Sequence, residues 1–372
     1  ILPRSRALDL RHDPAGAPLQ PEYTRALEYS DCWVDDARLV VTNARDAADR
    51  GADVRPRTAC VSARREGEGW TIAVAGRAGP EELRARALVN AAGPWVTSVL
   101  ADVAGERDPT RIRMVKGSHI VVPRLYEHER CYIFQNLDGR ICFAIPYQTD
   151  FTLIGTTDQD YGGDPARPTL SPEEADYLCA AVNAYFREPI SPADIVWSYS
   201  GVRPLRDDGA TAAQEATRDY VLELEGDPPL LSIFGGKITT FRRLAEAAMA
   251  KLEPFFPNAG PAWTAEAHLP GGDLPWNGIP ALAAELCERH RLEPRTAHRL
   301  ARAYGTRAET MLQNGPPGRD FGAGLTEREV DWLVRTEWAE TAEDILWRRT
   351  KLGLRLDERQ RAALEAAMQV HA

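Results

Sequence analysis

The chain has 372 residues, 44% of them hydrophobic, which is enough for two domains or one large one with a sizeable core. Its 45 Lys and Arg residues stand against 55 Asp and Glu, a net charge of −10 that argues against a general nucleic-acid binder. The six cysteines form no CxxC, the seven histidines no HExxH spacing, and no apolar run is long enough to cross a bilayer, so no disulfide framework, zinc site or membrane span is expected.

The chain opens on Ile1, and Ile1-Leu2-Pro3-Arg4-Ser5-Arg6 reads as loop, so the expectation is a fragment of a longer polypeptide. Residues 1–34 are polar and Pro-rich and predict irregular structure. Asp35 and Asp36 then precede an amphipathic run from Ala37 to Arg50, a capped helix stopped by Gly51. Residues 53–64 and 70–75 alternate as strands about a Glu-Gly-Glu-Gly turn. Ala87-Leu88-Val89 is a short apolar run that ends in Asn90-Ala91-Ala92-Gly93 before helix-like Pro94-Trp95-Val96. That pattern predicts a parallel strand of an open α/β sheet.

From 111 to 157 the pattern changes to antiparallel strands. Residues 131–136 and 140–147 flank Asp138-Gly139, a hairpin-turn signal, and 151–155 supply a third strand. Ser171-Pro172-Glu173-Glu174 is a capping box that opens a helix to about Arg187. Strand character returns at 195–202, 220–223 and 230–234, and residues 238–252 predict a helix with Leu244, Ala248 and Leu252 at i+4 spacing. A Pro/Gly-rich stretch, 255–280, separates a tail with helices expected at 281–290, 295–304, 307–312, 326–338, 341–349 and 357–369. The domain boundary falls near 260.

Two segments carry chemistry: Ser200-Gly201-Val202-Arg203-Pro204 and Phe234-Gly235-Gly236-Lys237-Ile238-Thr239-Thr240. Each ends a β-like run with glycine and then offers one cation, and the second also opens a helix. Glycines, exposed N–H groups and a helix N-terminus form an anion site, so the two cations point to a small phosphorylated or carboxylated substrate. Each residue also has a plainer reading. Arg203 can pair with Asp207-Asp208. Lys237 can be a solvated lysine, although at a helix start it opposes the dipole. Thr239 and Thr240 can be simple N-caps. His119, in Lys116-Gly117-Ser118-His119-Ile120-Val121-Val122, shares a strand face with Gly117 and Val121; a lone strand histidine is more often structural, yet imidazole is the natural base for an alcohol near neutral pH. Asn90–Gly93 can be tight packing, and Asp158 can cap a turn.

Taken together, these segments resemble the FAD-dependent (aerobic) glycerol-3-phosphate dehydrogenase family. The matching stretches, in family order, are Glu28-Tyr29-Ser30-Asp31-Cys32-Trp33-Val34-Asp35-Asp36-Ala37-Arg38-Leu39, Val89-Asn90-Ala91-Ala92-Gly93-Pro94-Trp95 and Lys116-Gly117-Ser118-His119. They continue with Ile154-Gly155-Thr156-Thr157-Asp158, Ser200–Leu205, Phe234–Lys237, Leu269-Pro270-Gly271-Gly272 and Glu343–Lys351. The resemblance implies an α/β plus α fold. An incomplete glutathione-reductase-like FAD domain (1–108) would be closed by a strand and helix (229–258). An antiparallel-sheet substrate domain (109–228) and a helical C-terminal domain (259–372) would complete it. The implied reaction oxidises sn-glycerol 3-phosphate to dihydroxyacetone phosphate with non-covalent FAD and a quinone acceptor. Arg203 and Lys237 would contact the substrate, with His119 as base for the C2 hydroxyl. Val61, Ala91, Ala92, Gly93, Trp95, Gly235, Gly236, Lys237, Ile238, Thr239 and Thr240 would line the FAD, with no metal. The resemblance further implies a cytoplasmic protein, peripheral on the inner face of the cell membrane, with a homodimer among its assemblies.

The family begins with a βαβ unit whose G-x-G-x-x-G holds the FAD pyrophosphate, and no such fingerprint occurs here. The expectation is that this chain alone binds FAD poorly. Two further readings stand beside this one: a glycerol-3-phosphate oxidase using oxygen, and a non-catalytic fragment with a helical interaction module.

Overall fold

A computed structural model describes residues 3–105, 112–206 and 219–371. They fall into two units, residues 1–32 with 57–261, and residues 33–56 with 262–372.

In the first unit, β3 (Ala59–Glu66), β4 (Gly69–Gly76) and β5 (Gly79–Ala85) form an antiparallel meander. The turn at Gly67 is left-handed, with φ +61°, as the Glu-Gly-Glu-Gly sequence requires. β6 (Leu88–Asn90) pairs in parallel with β14 (Leu230–Phe234), which pairs antiparallel with β13 (Val221–Glu225). The expected parallel strand is therefore present, with a partner some 140 residues away (232 against 90 at its last pair). Trp70, Ile72, Val74, Val96, Leu100, Leu230 and Phe234 form one core between meander and parallel strands.

The larger sheet runs β11 (Gln159–Asp160), β7 (Ile112–Pro123), β10 (Phe151–Gly155), β9 (Ile141–Tyr147) and β8 (Tyr132–Gln135), and β12 (Trp197–Arg206) also pairs with β7. Strand alternation splits β7 into two faces. Ile120 and Val122 join Ile154, Ala144 and Phe134 in a core against Leu178, Val182 and Phe186. Leu178 and Val182 belong to the helix Pro172–Asn183, whose capping box is formed as the sequence predicts.

The structure corrects several local expectations. Residues 1–34 are not wholly irregular: β1 (Arg6–Asp9) and β2 (Arg25–Glu28) pair antiparallel across fifteen intervening residues, a separation with no local turn signal. The Pro172 helix ends at Asn183 rather than Arg187, because the Asn183 amide bonds both the N–H and the carbonyl of Ile190, 2.8 Å each, and turns the chain. The strand expected from 53 starts only at Ala59, after Pro56. The sequence predicts no strand where β5 forms.

The second unit is built of helices Asp36–Asp49, Ile279–His290, Pro294–Tyr304, Arg307–Gln313, Glu327–Glu337 and Glu358–His371. Asp35 caps the first, accepting from Arg38 N–H. Leu286, Leu300, Ala308, Met311, Leu333, Ile345 and Leu364 lie in its core. Residues 341–349 differ from expectation: Asp344–Arg349 is a π-helical segment, closed by an i+5 bond from Thr350 N–H to Ile345 carbonyl. Arg299 grips the buried Glu329 with Nη1 and Nη2, at 2.6 and 2.7 Å, and Tyr304 hydroxyl donates to the same carboxylate at 2.7 Å. Among the described residues no helix is long and apolar enough to cross a membrane.

Candidate functional site

β7 is the spine of the site. Its register sets His119 beside Tyr199 of β12 on one side and Gly155 of β10 on the other, and Gly117 opposite Gly201. Gly117 and His119 share the face that looks away from the Pro172 helix, as alternation predicts.

Arg203 lies over Gly117. A Cβ built on that glycine would sit 2.6 Å from Arg203 Nη2 and 2.7 Å from Thr156 Oγ1, so only hydrogen fits there. The guanidinium is held by Asp158, with Nη1 to Oδ1 at 2.8 Å, and by Thr156, with Nη2 to Oγ1 at 3.0 Å. Asp158 is thus a counter-ion and not merely a turn cap. The alternative partners, Asp207 and Asp208, lie outside the described residues. His119 repeats the arrangement one row along. Its ring lies over Gly155, where a Cβ would come 2.7 Å from Cγ, and stacks on Tyr199 with centroids 4.9 Å apart and planes 8° from parallel. Among the described residues, a Cβ at the exposed Gly201 would meet nothing within 4 Å.

The Phe234–Lys237 turn approaches the same strand. Gly235 (φ +73°) and Gly236 (φ +111°) both need the left-handed region. A Cβ at Gly235 would lie 3.5 Å from the carbonyl of Pro204, the residue after Arg203. Lys237 is exposed, followed by a 3₁₀ turn, Ile238–Thr240, and the helix Phe241–Leu252. Among the described residues no side chain caps either start. Thr240 does not act as an N-cap: its hydroxyl donates back to the Lys237 carbonyl at 3.2 Å. The turn therefore keeps its first N–H groups uncapped by side chains.

Residues 91–95 and 235–240 follow the carboxyl ends of two adjacent parallel strands, the place where open α/β sheets bind ligands. Asn90 has a structural task there, its Nδ2 donating to Val96 carbonyl at 2.9 Å. Gly93 has φ +55°, Ala91 and Trp95 are exposed, and Ala92 is half-buried. Val61 sits at a β-bulge, since Cys60 pairs with Val74 and Ser62 with Ala73, leaving Val61 opposite no residue and exposed.

Sequence reasoning missed Tyr199 and the grip of Thr156 and Asp158 on Arg203. Tyr199 had a usable signal: it lies four residues before Arg203 on one strand, hence on one face.

A family profile described as "FAD dependent oxidoreductase" matches residues 1–242, and one described as "C-terminal domain of alpha-glycerophosphate oxidase" matches 262–372. A glycerol-3-phosphate dehydrogenase of Pseudomonas aeruginosa is 51% identical over 99% of this chain and 73% of its own. A D-erythritol 1-phosphate dehydrogenase of Brucella abortus is 47% identical over 97% of this chain and 74% of its own. The aerobic glycerol-3-phosphate dehydrogenase of Escherichia coli is 45% identical over 94% and 71%. The FAD-complexed structure of a glycerol-3-phosphate dehydrogenase from Bacillus halodurans superposes with TM-score 0.77 at 24% identity, covering 98% of this chain and 81% of that one, a likeness of fold.

The chain is an FAD-dependent oxidoreductase, and it belongs to the glycerol-3-phosphate dehydrogenase family. FAD is the cofactor of that class, and the residues present fit part of it. The uncapped turn at 238–240 and the glycines before it offer backbone groups of the kind such a cofactor needs, and Val61 has no partner in the strand register. The Gly-rich pyrophosphate loop is not among these 372 residues.

Proposed function

We propose that this chain carries the substrate half of an enzyme that oxidises sn-glycerol 3-phosphate at C2 to dihydroxyacetone phosphate. The observation that supports this most is the pair of side chains laid over glycines, Arg203 on Gly117 and His119 on Gly155, adjacent on one strand face. Arg203 offers a planar cation whose fork matches phosphate oxygens. Asp158 neutralises part of that charge while fixing its direction, so Lys237, from the turn backed against Pro204, supplies the second cation. His119 takes the proton of the C2 hydroxyl, with Tyr199 fixing the plane of its ring. Bound FAD supplies the acceptor for the hydride that leaves C2. Residues 91–95, 235–240 and Val61 hold that cofactor through backbone groups and small side chains.

The electron acceptor is a quinone at the inner face of the cell membrane, a reading favoured by the strong identity to proteins named dehydrogenases. A second substrate, D-erythritol 1-phosphate, has support from the Brucella relative. The test uses the FAD-loaded enzyme, comparing both polyol phosphates with a quinone analogue and with oxygen as acceptors. The reading expects the highest kcat/KM for glycerol 3-phosphate with the quinone analogue. Preference for the erythritol phosphate, or faster turnover with oxygen, would replace it.

A further inference from the structure

We infer that Glu174 is a positioning residue for Arg203, acting from behind the sheet through Thr157. The inference rests on the reading of Arg203 as the substrate's anion partner.

Glu174 lies at the start of the Pro172 helix and is fully buried. Its Oε1 accepts from the Thr157 hydroxyl at 2.7 Å and from the Ser118 hydroxyl at 2.9 Å. Its Oε2 accepts from Ser171 N–H at 2.9 Å and pairs with Lys116 Nζ at 2.8 Å. Lys116, itself buried, also donates to the Thr169 carbonyl at 3.0 Å. Ser118 Oγ lies 2.8 Å from Ser200 Oγ, and Thr157 Oγ1 accepts from Ser118 N–H at 2.9 Å.

The geometry is a two-sided clamp on one tripeptide. Thr156 and Asp158 face forward and hold the guanidinium of Arg203. Thr157, between them, points back and is held by Glu174. Lys116, Ser118 and Ser200 belong to the same two strands, β7 and β12, that carry Gly117 and Arg203. One carboxylate therefore fixes the loop that aims Arg203 and the strands on which it lies.

A capping box accounts for only part of this. Capping needs Ser171 and one oxygen of Glu174; it does not need the second oxygen bound to Thr157 and Ser118, nor a buried lysine. Burying a charge pair is a weak route to stability, because apolar residues of similar size do as well or better. What such a pair secures is a fixed arrangement of its partners. Burial alone would raise the Glu174 carboxyl's pKa; the bonds from Lys116, Ser171, Thr157 and Ser118 outweigh it and leave it below the ordinary value.

The test measures steady-state kinetics with glycerol 3-phosphate at saturating FAD, together with direct binding of glycerol 3-phosphate by calorimetry, whose dissociation constant is expected to move as KM does, beside thermal melts. Glu174→Gln is expected to raise KM about tenfold while kcat changes little, the pattern of lost ground-state binding. Thr157→Val, which removes one hydroxyl without changing shape, is expected to shift KM the same way and serves if Glu174→Gln does not fold. Lys116→Met is expected to raise KM, and Lys116→Met combined with Glu174→Gln to recover part of the loss. Arg203→Ala separates the two readings. If Arg203→Ala leaves KM unchanged, the anion-partner reading has failed, and with it the ground for this one. If Arg203→Ala raises KM but Glu174→Gln and Thr157→Val change only melting temperature, Glu174 is structural and the inference is overturned.

Discussion

Arg203 and Gly117 occupy one volume between them: the guanidinium rests where any side chain at 117 would be, with Thr156 closing the remaining side. Gly117→Ala must therefore displace the cation from Asp158 and Thr156. The expected result is a KM for glycerol 3-phosphate raised about tenfold or more, as loss of a charged hydrogen-bonding partner implies. Gly201→Ala, directly opposite, meets nothing within 4 Å among the described residues and is expected to leave the melting temperature near wild type. Any loss of affinity in that variant would mark the space above Gly201 as substrate volume. Kinetics and melts of the two alanine variants, side by side, check the pair.

His119→Ala is expected to lower kcat by about 100-fold to 10,000-fold, the usual weight of a positioned base. Gly155→Ala is expected to lower kcat too, since the new methyl would push the imidazole off Tyr199. Rapid-mixing measurement of flavin reduction in the FAD-loaded enzyme reads both. A His119→Ala enzyme with reduction within threefold of wild type would remove the histidine from the chemistry.

The purified 372-residue chain is expected to bind FAD weakly, with a dissociation constant above about 10 µM, because a Gly-rich loop at a helix N-terminus supplies the main pyrophosphate contact in this cofactor class. Flavin fluorescence and absorbance on titration measure it directly. Tight binding with bleaching on adding glycerol 3-phosphate would show that the residues at 61, 91–95 and 235–240 suffice.

Glu174 gives the first unit a predictable response to acid. Its pKa is depressed in the folded state, so the stability it contributes is present above the ordinary carboxylate value of 4.5 and is lost as pH falls through the lower folded value. Melting temperatures followed from pH 7 downward are expected to fall less steeply for Glu174→Gln than for wild type. Parallel curves would contradict the assignment.

In the second unit, Glu329→Ala leaves Arg299 buried without its carboxylate, and removing one partner of a buried pair costs about 3–5 kcal/mol. Tryptophan fluorescence in urea is expected to show a transition at lower denaturant for this variant. Arg335→Ala, breaking the exposed pair with Asp331, is expected to move it little.

Local signals carried much of this fold. The capping box at Ser171, the Asp35 cap and the short run before Asn90 each announced an element, because caps and apolar runs are contained within a few residues. The glycines beside Arg203 and Lys237 were equally visible. What stayed hidden were pairings across long stretches of chain. Ser118 and Glu174 are 56 residues apart, and β1 meets β2 only after an intervening loop. Asp158 reads in sequence as a turn residue because its partner, Arg203, is 45 positions away. A buried carboxylate among hydroxyls has no periodicity to betray it.

The bulge at Val61 has a consequence for how this region tolerates change. The extra residue, not its side chain, creates the unpaired backbone there, so substitutions that keep a strand-compatible residue are expected to be silent. Deleting residue 61 is another matter. Cys60 and Ser62 would then pair with Val74 and Ala73 in an unbroken ladder, and the strand is expected to fold as well or better while losing the residue that the bulge leaves out of register. Chain length, rather than residue identity, is the sensitive variable in this strand.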